Sequence, residues 1–127
     1  MDLPFQVRQG RQHVTALHQK TLDLEKNICE NVEKLGEVRT KIDALQSAIA
    51  GEENEILKIS ENTLGQPRNE RNIKIIERHN VELDGLGEKE RNIQLNIKES
   101  QLELELARIE WSHMSQCLKK TIITFIL

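Results

Sequence analysis

Four side chains near the two ends of this sequence have the types and spacing to bind a soft metal ion. His113 and Cys117 stand four residues apart, which puts both on one face of a helix. His13 faces Cys117 if the chain folds back on itself, and His18 lies a turn or so away. Imidazole nitrogen and thiolate sulfur are the ligands that tetrahedral zinc favours. A chance cluster at the open end of a hairpin is the plainer reading of the same residues. From the sequence we therefore assign no metal ligand, no cofactor and no catalytic residue. No Gly-rich phosphate loop, HExxH, CxxC or EF-hand pattern occurs. The many acidic residues are spread along positions that suit a solvated helix, and a thin pair of helices has no concave pocket for catalysis. The expectation is a protein that is not an enzyme and takes no small-molecule substrate.

The elements that position these residues are helical. Charged residues make up 31% of the chain and aromatics 2%, so few bulky side chains exist to fill a thick core. Pro occurs only at Pro4 and Pro67, leaving a long stretch without that helix breaker. Such composition with a helical period marks coiled coils and long helices.

The first half carries one unbroken heptad. Its a positions run Val7, Val14, Thr21, Ile28, Leu35, Ile42, Ile49, Ile56, Thr63, and its d positions Gly10, Leu17, Leu24, Asn31, Val38, Leu45, Glu52, Ile59. The second half has its own register, with a at Ile76, Leu83, Glu90, Ile97, Leu104, Trp111, Leu118 and Phe125. Its d positions are Asn72, His79, Leu86, Ile93, Ser100, Ala107, Met114 and Thr121. Spacing sustained over this many heptads predicts a coiled-coil seam, and alternation of the β kind is absent. Between the halves, Gly65 and Pro67 supply the one good turn.

These signals predict an all-α fold, a long antiparallel two-helix coiled-coil hairpin that packs into a larger helical bundle. It is read as a single helical-hairpin domain over residues 1–127. The first helix is expected at about 8–62, the turn at about 63–68, the second helix at about 69–121 and an apolar end at 121–127. Folding a onto a and d onto d sets Gly10 opposite Thr121, Val14 opposite Leu118 and Trp111 opposite Thr21. It also sets two polar layers, Asn31 with Ser100 and Glu52 with His79, which would fix the register. Ile42 opposite Glu90 is a mismatch. Gly51, Gly85 and Gly87 suggest a soft joint in the shaft.

Two surface features point to partners. On the second helix the f positions, which face away from the hairpin seam, are Val81, Glu88, Leu95, Leu102 and Ile109, four of the five aliphatic, and Leu106 adds to that face. An isolated two-stranded coil should be polar there, so this stripe is read as a docking face for other helical subunits or a second copy. The formal charge is −3 overall, but residues 22–62 carry −5 and 82–105 carry −4, while both ends of the hairpin are basic. At the turn the basic residues are Arg68, Arg71, Lys74 and Arg78.

The expected function is a non-enzymatic structural subunit of a larger intracellular complex, acting as scaffold, spacer or tether. The alternative is an adaptor whose basic tip binds an acidic surface, nucleic acid or a cytoskeletal filament. Without a basic run or interleaved aromatics, nucleic acid has little support. No stretch is long enough to span a bilayer, and the first residues lack the basic and apolar regions of a secretory leader. The expected location is intracellular, in cytoplasm or nucleus.

Overall fold

A computed structural model describes the backbone of residues 3–62 and 66–126, and the side chains of 4–58, 70–124 and 126. The chain is helical throughout these residues, as α1 (Leu3–Asn62) followed by α2 (Gln66–Ile126). The turn expected at 63–68 falls partly outside them: the conformation of Thr63, Leu64 and Gly65, including the cap at Gly65, is not among the described residues.

Both helices are longer than the sequence reading. α1 begins at Leu3 rather than near 8, and α2 runs from Gln66 to Ile126 rather than from 69 to 121. Each carries its proline at the second helical position, Pro4 and Pro67, where the missing N–H has no intrahelical partner to lose. At the far end the β-branched run Thr121-Ile122-Ile123-Thr124 stays helical, with Ile122 half-buried. Intrinsic propensity is a weak prior beside such packing.

The chain forms two compact units, one from Met1–Asn31 with Asn96–Leu127 and one from Val32–Leu95. In each, a stretch of α1 packs antiparallel to a stretch of α2, the arrangement of a helical hairpin. In the first unit the most buried side chains are Leu17, Thr21, Ile97, Leu104 and Ala107; in the second they are Leu35, Val38, Asn72 and Ile93. All are seam positions. Every described a and d residue of α1, from Val7 to Ile56, is buried or half-buried. The same holds on α2 from Asn72 to Leu118, and Thr121 is the exposed exception.

The heptads are therefore correct, but the facing pairs are not. Gly10 lies against Leu118, not Thr121: a Cβ added to Gly10 would sit 2.8 Å from Leu118 Cδ1. Trp111 meets His18, with ring centroids 5.5 Å apart and planes tilted by 33°. Ser100 bonds Asn27, not Asn31. In the second unit Glu90, expected opposite Ile42, pairs with Arg39 at 4.0 Å. Each contact is displaced by three or four residues in the same direction, half a heptad.

The cause is the reversed direction of the second helix. Positions a and d lie on opposite sides of a coiled-coil seam. Turning one helix end for end exchanges those sides, so an a residue shares its layer with a d residue. The flanks follow the same geometry, with e facing e and g facing g. Glu25 and Arg108 are both e residues and meet at 2.6 Å; His13 and Glu110 are both g residues and meet at 3.9 Å. The shift also sets Thr21 level with Ala107 and Leu35 level with Ile93, which are among the most buried side chains.

Candidate docking surface

The stripe read from the sequence is built by α2 alone, because an f residue sits on the side of its helix turned away from the seam. Unit by unit, Val81 and Leu95 in one, and Leu102, Leu106 and Ile109 in the other, are each more than half exposed. Among the described residues nothing covers them. Ile123 is exposed as well and falls in the same f row, two heptads beyond Ile109. The sequence reading had placed it in an apolar end rather than in the stripe, although the heptad count alone would have found it. Leu22 and Leu57 on α1 are exposed without forming a row, and Val32 and Ile73 are exposed e residues beside the seam.

The polar residues expected to set the register are arranged differently from the sequence reading. Asn31 and Ser100 are joined through a third residue, Asn27. Its Oδ1 accepts from Asn31 Nδ2 at 2.8 Å and from Ser100 Oγ at 3.2 Å. Asn27 was missed because it occupies an exposed g position, outside the seam. Its spacing of four from Asn31 is the signal that could have revealed it. Glu52 and His79 are half-buried, and among the described residues no hydrogen bond or ion pair joins them. Among the described residues, Asn72 Nδ2 is the buried side-chain polar atom without a hydrogen bond. Thr21 meets its own need locally, donating its hydroxyl to the His18 carbonyl at 2.6 Å.

At the turn end, the side chain of Arg68 lies outside the described residues. Arg71, Lys74 and Arg78 are exposed, but Glu70, Glu77 and Glu82 alternate with them and are exposed too. Lys74, Glu77, Arg78, Val81 and Glu82 line one shallow open groove. Such interleaving cancels much of the field that a uniformly basic tip would project.

The candidate ligands lie in the first unit. His113 Nε2 and Cys117 Sγ approach to 3.7 Å on the outside of α2. His13 turns to Glu110 and His18 to Trp111, so the four are not gathered. Among the described residues no group of three His, Cys, Asp or Glu side chains is placed to hold a metal ion. Cys29 and Cys117 are free, exposed thiols. α1 and α2 remain helical through Gly51, Gly85 and Gly87. Among the described residues no helix is long and apolar enough to cross a membrane.

Compared with known protein families, curated proteins and solved structures, the chain matches none of them.

Proposed function

We propose that this chain is a non-enzymatic, structural coiled-coil subunit of a larger intracellular complex, which spaces, braces or tethers partners through helix–helix docking. The observation that carries this reading is the uncovered aliphatic row of α2. Isolated apolar side chains on a surface need no explanation, but a row at heptad spacing is what a third helix would bury. Among the described residues no large side chain is fully buried, so the seam alone gives a thin core.

The test is light-scattering mass over a concentration series, for the native chain and for Leu95→Glu/Leu102→Glu, with capture of helical partners alongside. Association that the double substitution abolishes supports docking through the row. Binding that ignores the row but falls steeply with salt, and is lost when Arg71, Lys74 and Arg78 are neutralised, would instead make the chain an adaptor for an acidic surface.

A further inference from the structure

We infer that the exposed row of Leu102, Leu106 and Ile109 takes an amphipathic helix of another protein whose flanks are basic, and not a second copy of this chain. This rests on the docking reading and gives its partner a chemistry.

The row is bordered by acid. On a helix surface the neighbours of a residue lie three and four places away. Leu102 is thus flanked by Lys98, Glu99 and Glu105, Leu106 by Glu103 and Glu110, and Ile109 by Glu105, Ser112 and His113, all of them exposed. Four glutamates and one lysine therefore surround three aliphatic side chains within one compact unit. Arg108 does not offset them, because its guanidinium is turned to Glu25 at 2.6 Å. Among the described residues Glu99, Glu103 and Glu105 make no ion pair, and Glu110 reaches only His13 Nε2, at 3.9 Å.

A helix seated on the row would pack along its c and f positions, so b and g would become the flanks. A parallel second copy would set Glu99 on itself and Glu105 beside Glu110, with Lys98 and Glu103 the one favourable pair. An antiparallel copy with Leu102 level with Leu106 would set Glu103 beside Glu110 twice, which offsets the two Lys98–Glu105 contacts it gains. A helix with Lys or Arg on both flanks gains at all four glutamates and loses at Lys98 alone. Charge complementarity of this kind selects the partner, while burial of the aliphatic row supplies most of the affinity.

The experiment measures binding of the full chain, by fluorescence anisotropy, to two short synthetic amphipathic helices with the same leucine seam. One is flanked by lysine and the other by glutamate, and light scattering gives the mass of the chain alone. The expected result is a one-chain mass and a preference for the lysine peptide of about tenfold or more, shrinking as salt is raised. Leu102→Glu/Leu106→Glu should abolish that binding. A peptide held by charge alone would bind this more acidic variant as well or better, and that result would overturn the inference. Glu103→Lys/Glu110→Lys should move the preference toward the glutamate peptide, and a preference it leaves unchanged would overturn the inference too. All four substituted side chains are exposed, so the hairpin should keep its fold, as circular dichroism would verify. Two other results would overturn the inference while leaving docking through the row intact. One is equal or tighter binding of the glutamate peptide that Leu102→Glu/Leu106→Glu removes; the other is a dimer of the chain alone that the same variant breaks. Binding of neither peptide by a chain of one-chain mass would remove the docking reading as well.

Discussion

Leu118 occupies the space that a side chain on Gly10 would need. Its Cδ1 methyl lies 2.8 Å from the position of a Cβ built on Gly10, closer than real Cβ atoms come to their neighbours. A glycine at a d position is usually a weak point in a coiled coil, because it leaves a hole and costs about 1 kcal/mol of helix propensity against alanine. Here the leucine of the opposite helix fills that hole. The contact also shows that a d residue of α1 shares its layer with an a residue of α2.

The first prediction separates packing from propensity. Around Gly36 nothing lies within 4 Å of an added Cβ. Gly36→Ala should therefore raise unfolding free energy by roughly 0.5–1 kcal/mol. Gly10→Ala should gain less or nothing, because the Leu118 methyl must swing away. In the Leu118→Ala background the same Gly10→Ala change should recover most of its helical benefit. A urea-denaturation double-mutant cycle measures this; additive effects within about 0.3–0.5 kcal/mol would contradict the contact.

A second prediction concerns Asn72, whose buried Nδ2 has no partner. An unsatisfied buried amide group costs on the order of 1–3 kcal/mol, and Leu in its place removes that penalty. Asn72→Leu should stabilise the hairpin by about 1 kcal/mol or more, measured as a higher urea midpoint at unchanged slope. A midpoint that stays or falls would mean that Asn72 contributes more than an empty donor.

The Glu25–Arg108 bridge should matter little despite its 2.6 Å length. Both side chains are near half exposed, at 45% and 58%. Exposed pairs of this kind couple by about 0.2–1 kcal/mol, and salt weakens them. A Glu25→Ala, Arg108→Ala cycle at low and high ionic strength should give a coupling in that range that shrinks with salt. Coupling of several kcal/mol would show the bridge to be shielded in solution.

Substitutions in the outer row should leave the fold alone. Leu102 and Leu106 contribute little to the seam, so Leu102→Glu/Leu106→Glu should change the thermal midpoint only slightly, with each site worth within about 0.5 kcal/mol. The comparison is Leu104→Ala, only two residues from each, which empties a buried position and should cost about 2–5 kcal/mol. Circular dichroism melts of the two variants distinguish the faces. A large loss from the outer pair would place that row in the core.

Much of this arrangement can be read from residue order. Heptads from Val7 to Ile56 and from Asn72 to Leu118 name the seam residues, and the structure hides all of them at least partly. The row from Val81 to Ile109 is legible for the same reason, since an f position, two places from the nearest seam residue on either side, cannot share the seam. Facing pairs are another matter. Sliding one helix past the other by half a heptad exchanges a for d but leaves the same residues in the seam. Both registers predict the same burial, so periodicity alone does not choose between them; the antiparallel direction does, because it sets a level with d.

Matching polar residue to polar residue seemed to decide the question and chose the wrong alignment. Half-exposed polar groups had other options. Ser100 and Asn31 both reached Asn27 on the flank, and Glu90 reached Arg39. The packing displays the register that the reversed direction sets, with Leu118 seated over Gly10 and Trp111 beside His18. The 3.7 Å approach of Cys117 to His113 has the same standing. Spacing of four residues permits it, but only the rotamers bring sulfur and nitrogen into contact.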